Sequence, residues 1–277
     1  MKNLQVIKSS GELVDYDQYK LRSALLRSGA PSKELDKIVA KIEKQLYNGI
    51  STHKIYQLAY KVLKSYAKNL AGKYKLKKAV LELGPSGYPF ERFVARLLEC
   101  SGYKVQVGVV VPGQCVTHEI DVIGLKPNKK IYIECKFHKD SRKNDVKIPL
   151  YIHSRFRDVE SVLRQQFPGK EFKFQGIIVT NTRFTEDAIS YAKCAGIKLI
   201  GWDYPAEDSL KDWIDRSGLH PVTSLTSLTK RAKSFLLEND IVLLRELIEN
   251  AQLLQKIGLS NRDINQAVKE AQDIINF

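Results

Sequence analysis

Cysteine, methionine and tryptophan are scarce in this chain of 277 residues, and no long apolar run occurs. The four cysteines, at positions 100, 115, 135 and 194, show no CxxC spacing, which argues against a disulfide framework or a zinc site and predicts reduced thiols. No apolar stretch reaches the length of a membrane span, and the N-terminal segment lacks the apolar core of a secretory signal. We therefore expect a cytoplasmic protein without a membrane partner.

Acidic residues are also in deficit, and the deficit is uneven along the chain. The net charge is +14. Residues 1–85 carry 17 lysines and arginines against 7 acidic residues, residues 86–204 carry 19 against 13, and residues 205–277 carry 9 against 11. The basic N-terminal and central regions indicate a polyanionic partner, most simply DNA or another nucleic acid. A protein with a high isoelectric point and no such partner is the alternative.

Turn-forming residues divide the chain into three predicted domains, at 1–83, 86–204 and 205–277. The first reads as a hairpin around Ser9, Ser10 and Gly11, followed by helices that end near Gly29 and Gly49. The run GPSGYP at 84–89 is the clearest linker. The second domain alternates helices and strands, which predicts an α/β core with a mixed central sheet, and the third is helical.

Two strands of the second domain carry carboxylates where an inner face is normally apolar. In KKIYIECKF (129–137), side-chain alternation places Glu134 and Lys136 on one face. A loop centred between residues 127 and 128 pairs positions whose numbers sum to 255, so Asp121 is predicted to face Glu134, with Cβ atoms roughly 5 Å apart. Two such carboxylates repel unless a cation separates them, which predicts a Mg²⁺ or Mn²⁺ site held by Asp121 and Glu134.

The neighbours of this pair complete a candidate catalytic set. Glu91, on the flank of the preceding helix, is a third carboxylate, and Lys136 is placed to orient water or stabilise developing phosphate charge. Because the two central carboxylates repel, we expect that removing either one does not destabilise the metal-free protein. A solvated sheet face with cross-strand ion pairs is the alternative interpretation.

These residues resemble the PD-(D/E)xK nuclease superfamily and, within it, the Mrr-like restriction endonuclease domains. The matching features are Phe90-Glu91 on the first helix, Gly102-Tyr103 before a strand, Asp121 before a hairpin, Glu134-Cys135-Lys136 after it, and the strand–helix–strand ending over 176–203. No proline precedes Asp121, where Ile120 stands. Over residues 86–204 the resemblance implies a restriction-endonuclease-like fold and a magnesium-dependent endonuclease that hydrolyses phosphodiester bonds in DNA.

Other basic residues of the second domain are weaker candidates. Arg155 and Arg157 are placed to grip a phosphate as planar forks, and a solvated helix face is an equal alternative. Single histidines at positions 118, 138 and 153 are more often incidental near a basic surface.

Residues 4–75 resemble the ATP-cone domain, a nucleotide-sensing module. The matches are Val6-Ile7-Lys8, Gly11, Tyr16-Asp17, Lys20-Leu21 and Thr52-x-x-Ile55, and Ser9 stands where the family usually has arginine. The resemblance implies ATP as an effector, with Val6, Ile7, Lys8, Lys20 and Thr52 as the cofactor-binding residues. A basic helical domain that contacts DNA or another subunit is the alternative.

The C-terminal helices are similar to helix-hairpin-helix or SAM-like modules. Such modules hold a DNA backbone through helix N-termini and lysines, which makes Lys230, Arg231 and Lys233 the candidates. The acidic balance of this segment argues against a role as the main DNA anchor, and a dimerisation role, as in a homodimer, fits equally well. The sequence thus predicts a nucleotide-responsive endonuclease, with a non-catalytic, nucleotide-responsive nucleic-acid-binding regulator as the alternative.

Overall fold

The computed structural model describes residues 4–8, 11–28, 30–66, 76–166 and 173–275. Contacts divide the chain into two compact units, Met1–Ala79 with Val222–Phe277, and Val80–Pro221. Residues 205–221, which the sequence groups with the helical tail, lie in the second unit. Within the described ranges, no helix is both long enough and apolar enough to cross a membrane.

The N-terminal part of the first unit opens with a small sheet. Its strands are β1 (Gln5–Ile7), β2 (Leu13–Asp15) and β3 (Ile50–Ser51), in the order β2-β1-β3. The predicted hairpin is present, because β1 pairs antiparallel with β2, and Gly11 has the positive φ of 84° that its turn requires. Ser9 and Ser10 lie outside the described residues.

Helices follow the sheet, and their bounds are α1 (Gln18–Arg27), α2 (Ser32–Glu43), α3 (Thr52–Tyr66) and α4 (Leu76–Leu81). Asp17 caps α1, since its side chain accepts the backbone N–H groups of Tyr19 and Lys20. The second helix ends earlier than the predicted stop near Gly49. That glycine has a φ of 80° and donates its N–H to Gln5 O at 2.8 Å, so it leads the chain into β3. Gly29 is outside the described ranges.

The second unit alternates helices and strands, as predicted for an α/β core. Its elements are α5 (Tyr88–Cys100), β4 (Lys104–Pro112), β5 (Thr117–Lys126), β6 (Lys129–Lys136), β7 (Lys143–Asn144), α6 (Lys147–Gln166), β8 (Lys173–Thr180), β9 (Arg183–Phe184), α7 (Glu186–Cys194), β10 (Lys198–Ile200) and α8 (Leu210–Ser217).

The central sheet is mixed, with strand order β10-β8-β6-β5-β4. Strands β10, β8 and β6 are parallel, and β6, β5 and β4 are antiparallel. Val122 pairs with Ile133 and Lys126 with Lys129, so the predicted register, in which paired numbers sum to 255, is confirmed. The predicted fold class is confirmed as well.

Helices cover both faces of this sheet, and two glycines let them approach closely. A Cβ added to Gly124 in β5 would lie 2.5 Å from Leu98 Cδ2 of α5. On the other face, a Cβ added to Gly176 in β8 would lie 2.4 Å from Phe156 Cδ2 of α6. The interior is therefore packed at these contacts, and larger residues there would displace a helix.

The C-terminal part of the first unit is helical, as predicted. Its elements are a 3-10 turn (Val222–Ser224), α9 (Lys230–Glu238), α10 (Leu244–Asn250), a 3-10 segment (Ala251–Ile257) and α11 (Asn261–Ile275). Ser260 Oγ accepts the backbone N–H of Asp263 at 3.2 Å and lies 2.7 Å from its carboxylate, so it caps the last helix. Helix α9 ends at Glu238, and the 3-10 segment ends before Gly258.

Candidate active site

Asp121 lies where the pairing between β5 and β6 ends. The last paired residues are Val122 and Ile133, and beyond them Asp121 Oδ2 accepts the backbone N–H of Cys135 at 2.6 Å. On the other side, the β4 ladder is interrupted opposite Asp121, at Gly108, whose φ is 63°. The carboxylate is therefore held by a backbone donor at a point where the sheet opens.

Glu134 is buried, with 4% of its surface exposed, and both of its oxygens contact cations. Lys136 Nζ donates to Oε1 at 2.5 Å and Arg155 Nη1 donates to Oε2 at 2.9 Å. The other guanidinium nitrogen of Arg155 donates to the carbonyl oxygen of Glu119. A buried carboxylate is tolerable because it is paired in this way.

The sequence places Asp121, Glu134 and Lys136 together, and the structure does the same, with Arg155 added from α6. The expectation for stability changes at one position. Removing Glu134 leaves two cations without their carboxylate, so we expect this substitution to destabilise the protein rather than relieve it.

The two carboxylates of the predicted metal site have hydrogen-bond partners within the protein. Glu134 accepts from Lys136 and Arg155, and Asp121 accepts from a backbone N–H. Among the described residues, no group of three or more His, Cys, Asp or Glu side chains is arranged to hold an ion. Because each carboxylate oxygen has a second lone pair, these contacts leave both side chains able to coordinate a cation.

Burial and mutual repulsion raise the pKa values of two carboxyl groups at the site. The pKa of Glu91 rises to about 7, chiefly through burial and then through the charges of Asp121, Glu119 and Glu134. Burial and the charge of Glu134 raise the pKa of Asp121 to about 6, although the Cys135 N–H, Lys136 and Arg155 act in the opposite direction. The site therefore carries more negative charge than its surroundings stabilise, which favours a bound cation.

These shifts predict a pH dependence for the metal-free protein. Both carboxyls hold protons more tightly when folded than when unfolded, so their contribution to stability is greatest at low pH. It is lost as the pH rises from about 4 through about 7. We expect Asp121→Asn to raise the melting temperature at alkaline pH and to flatten its decline with pH, because the substitution removes the charge that burial and Glu134 disfavour. The amide oxygen can still accept the backbone N–H of Cys135.

Thermal unfolding in EDTA across this pH range tests the prediction. Asp273→Asn, at an exposed position of α11, removes the same charge away from the site and serves as the matched control. Equal effects of the two substitutions would show that Asp121 is not destabilised by its surroundings.

Arg155 and Arg157, which the sequence treats as a pair, lie in different surroundings. Arg155 is at Glu134, whereas Arg157 is exposed and lines a separate groove of about 210 Å³ with Glu160 and Phe174. Arg155 therefore belongs to the candidate site, and Arg157 belongs to a different surface.

The three histidines each have a hydrogen-bond partner within the fold. His118 Nε2 lies 2.8 Å from Asp158, His138 Nε2 lies 2.8 Å from Asn144, and His153 Nδ1 lies 2.8 Å from the Tyr191 hydroxyl. Each of these contacts involves one nitrogen of the ring, and Asp158, Asn144 and Tyr191 orient the three imidazoles.

The predicted nucleotide-binding residues lie around the small sheet of the first unit. Val6 is buried in β1 and Ile7 is half-buried; Lys8 and Thr52 each follow directly after the last pair of the β1–β3 register, Ile7 and Ser51. Lys8 pairs with Glu12 at 2.8 Å. Lys20 is in α1, which follows β2 at the opposite end of the sheet from Lys8. Its ammonium pairs with Asp17 at 3.3 Å.

The three basic residues of the tail that the sequence predicts to contact DNA differ in their exposure and in their bonds within the fold. Lys230 and Arg231 are exposed at the start of α9, whereas Lys233 Nζ donates to the carbonyl oxygen of Thr223 at 2.8 Å. Lys233 therefore supports the fold, and the first two remain the candidates for a phosphate contact.

Sequence reasoning missed the pairing of Arg155 with Glu134 and a polar cluster behind Lys136. That cluster contains Asn144, Thr180 and Asn181, which are at most 2% exposed. The available signal was the polar run Thr180-Asn181-Thr182, which directly follows the apolar strand GIIV.

Three family models match successive parts of the chain. Residues 4–81 match the ATP cone domain, residues 84–204 match a restriction endonuclease model, and residues 220–275 match a model described as AF1548-like, C-terminal. The ATP-cone and Mrr-like resemblances are confirmed, and the helical tail, which the sequence likens to helix-hairpin-helix or SAM-like modules, matches the AF1548-like C-terminal model.

A curated relative from Archaeoglobus fulgidus, an uncharacterized protein, is 36% identical over 183 residues, which cover 66% of this chain and 99% of the relative. The crystal structure of AF1548, a protein of unknown function, aligns with a TM-score of 0.56 and 35% identity over 69% of this chain and 99% of its own. The structure of Can2 from Sulfobacillus thermosulfidooxidans with cyclic tetra-adenylate aligns with a TM-score of only 0.32 at 16% identity, over 73% and 56% of the two chains, and carries no argument here. From the match along nearly the whole length of its relatives, we conclude that the chain belongs to the AF1548-like family of restriction endonuclease-domain proteins, with an ATP cone domain at its N-terminal side.

Proposed function

We propose that the protein is a metal-dependent endonuclease that hydrolyses phosphodiester bonds in DNA and responds to a nucleotide through its ATP cone domain. The observation that carries the proposal is the buried Glu134 with Lys136 and Arg155 on its two oxygens, and Asp121 at the point of β5 where its pairing with β6 ends. In a restriction endonuclease domain, this arrangement concentrates carboxylates and cations at a single strand end.

A divalent metal fits the chemistry of these residues. Burial and like charge raise the pKa values of Glu91 and Asp121, and a dication would relieve that repulsion. Hard carboxylate oxygens are the ligands that Mg²⁺ and Mn²⁺ prefer. Asp121 and Glu134 would hold the ion, with Glu91 at its edge. When bound, such an ion neutralises phosphate charge and lowers the pKa of water.

The remaining residues act directly on the substrate. Lys136 is 28% exposed at its side chain, so its ammonium reaches both Glu134 and a phosphate placed against the strand end. There it donates hydrogen bonds to an oxygen that gains negative charge, or orients the attacking water. The guanidinium of Arg155, which contacts Glu134 through one nitrogen, would offer its remaining N–H donors to the same phosphate.

Metal binding and cleavage measured together test the proposal. We expect heat of binding for Mn²⁺ and cleavage of a DNA duplex in Mg²⁺ or Mn²⁺, with both abolished by EDTA. Metal affinity should fall as the pH drops below about 6, because the carboxyls then retain their protons.

One observation favours the second candidate, a non-catalytic nucleotide-responsive regulator that binds nucleic acid. Both oxygens of Glu134 are engaged by cations, which would stabilise the fold without any metal. Under this alternative the protein binds DNA equally well in EDTA and in Mg²⁺, and leaves it intact in both.

Binding to DNA should weaken steeply as salt is added. Backbone recognition by the basic surface releases counterions, so log K should fall by ~0.9 per tenfold rise in salt for each phosphate neutralised. Replacing both Lys230 and Arg231 by alanine should reduce this slope by ~2 if each contacts a phosphate. Fluorescence anisotropy of a labelled duplex across a salt series gives the slope.

Lys233→Ala is the matched control, because its ammonium already binds the carbonyl oxygen of Thr223. It should change the melting temperature and leave the salt slope as it is. An affinity of the unmodified protein that is flat between low and moderate salt would contradict backbone recognition.

ATP binding should depend on Lys8 and Lys20. If their ammonium groups hold the phosphates, replacing both by alanine should abolish the heat of ATP binding. The melting temperature should stay nearly unchanged, because both lysines are in exposed ion pairs, which contribute little to stability. Calorimetric titration measures this heat directly. The pair Lys37→Ala and Lys41→Ala, at exposed positions of α2, removes the same charge and should retain binding. ATP binding that survives loss of Lys8 and Lys20 would place the nucleotide elsewhere.

A further inference from the structure

A cluster of buried polar side chains lies directly behind Lys136 and has no role in the proposed chemistry. Asn144, Thr180, Asn181 and Thr182 are between 0% and 4% exposed. They come from β7, from the end of β8 and from the segment that follows it. Polar groups this deeply buried are stable only when their hydrogen bonds are satisfied, so their partners indicate what the cluster holds in place.

Asn181 extends the pairing of β6 with β8 beyond the end of both strands. Backbone pairing stops at Lys136 and Thr180. Asn181 Oδ1 then accepts the N–H of His138 at 2.9 Å, and its Nδ2 donates to the His138 carbonyl oxygen at 2.7 Å. A carboxamide carries the same donor and acceptor as a peptide group, so this side chain replaces the next rung of the ladder and fixes the chain two residues after Lys136.

Thr180 holds the peptide of Lys136 itself. Its hydroxyl donates to the Lys136 carbonyl oxygen at 2.7 Å, so it can only accept from Asn144 Nδ2 at 3.1 Å and from the N–H of Thr182 at 3.2 Å. The hydroxyl is therefore fully used, and its single proton is committed to the strand that carries the lysine.

The orientation of Asn144 is fixed by an unambiguous acceptor. Its Nδ2 donates to the carbonyl oxygen of Arg183 at 3.2 Å, so its Oδ1 must face His138 Nε2, 2.8 Å away. That nitrogen of His138 therefore carries a proton. Asn144 therefore bonds to the Thr180 hydroxyl, which holds the Lys136 carbonyl oxygen, and to the imidazole of His138. Asn181 holds the backbone of that same histidine.

We propose that Thr180, Asn181 and Asn144 are positioning residues that keep Lys136 at the reacting phosphate. Lys136 is the last residue of β6, where a strand end would otherwise fray, and its long side chain amplifies any movement of its backbone. A displacement of about 1 Å in a reacting group costs on the order of 100-fold in rate. The inference rests on the proposed nuclease function and adds the residues that preorganise it.

Thr180→Val and Thr180→Ser form a matched test. Valine keeps the shape and loses the hydrogen bonds to Lys136, so we expect kcat to fall ~10–100-fold, as for other residues that act through a catalytic group. KM for DNA and the Kd for Mn²⁺ should stay unchanged. Serine retains the hydroxyl and should restore most of kcat. Rates are expressed per Mn²⁺-binding molecule, so a loss of folded protein does not count as a loss of kcat.

A readout independent of activity follows from Asn181. Asn181→Ala should abolish the protection of the His138 amide against hydrogen exchange, while the amides of α7 keep theirs. Full kcat in Thr180→Val, equal losses in the valine and serine variants, or an unchanged His138 amide in Asn181→Ala would each overturn the inference. An unmodified protein that binds Mn²⁺ and DNA but never cleaves would instead overturn the nuclease function, and with it the catalytic purpose of the cluster.

Discussion

Asp121→Asn and Glu134→Gln should each lose Mn²⁺ binding and DNA cleavage together. Each substitution replaces a charged oxygen ligand by a neutral amide at the position where repulsion between carboxylates favours a dication. Outer-shell substitutions cost ~10–100-fold in metal affinity, so loss of a direct ligand should exceed that range. Calorimetric titration with Mn²⁺ and single-turnover cleavage, both on the same preparations, give the two quantities.

The stability of these two variants should differ, which separates them from a general loss of folding. Asp121→Asn removes a carboxylate whose pKa is raised to about 6, so the metal-free variant should be more stable at neutral pH. Glu134→Gln weakens the ion pairs with Lys136 and Arg155 and should be less stable. Glu186→Gln, exposed at the start of α7, removes the same charge in the same domain and should leave metal binding and cleavage unchanged. Tight Mn²⁺ binding by either site variant would contradict the assignment of ligands.

Lys136→Ala should retain metal and DNA and lose cleavage. The lysine contacts Glu134 Oε1 at 2.5 Å and is expected to act on charge that develops only during reaction. Its removal should therefore slow the chemical step by ~100-fold or more, on the order of 3 kcal/mol. Anisotropy, Mn²⁺ titration and single-turnover rates distinguish binding from chemistry.

Lys139→Ala provides the matched control, because Lys139 is exposed three residues further along the chain and has the same charge. We expect it to weaken DNA binding modestly and to leave the single-turnover rate at saturating DNA unchanged. If Lys136→Ala and Lys139→Ala have the same small effect, the lysine contributes only to the basic surface.

The arrangement of the site is partly visible in the sequence because it depends on local rules. The short loop between β5 and β6 fixes which residues face each other, and side-chain alternation then places Asp121, Glu134 and Lys136 together, where the pairing of these strands ends. Caps such as Asp17 and Thr185 are equally local, since each side chain binds a backbone N–H two or three residues away.

The features that the sequence does not reveal all depend on distant partners. Arg155 reaches Glu134 across 21 positions, and Asn181 reaches His138 across 43. Periodicity and spacing carry no information about such contacts, because the fold alone decides which helix or strand end comes near. The same holds for α8, which lies in the unit Val80–Pro221 although the sequence groups it with the tail. The direction of the Glu134 carboxylate depends on such a distant partner as well, because it accepts a hydrogen bond from Arg155.

Nicking of supercoiled plasmid by the unmodified protein and by Lys136→Ala, in Mg²⁺, Mn²⁺ and EDTA, with and without ATP, tests the central claim most directly. The account predicts open-circular product from the unmodified protein in at least one of the two metals, none in EDTA, and at least ~100-fold less from Lys136→Ala in the same metal. Nicking by Lys136→Ala at the rate of the unmodified protein would contradict the assigned active site. DNA binding without nicking by the unmodified protein in either metal, with or without ATP, would contradict the nuclease function and favour the non-catalytic regulator.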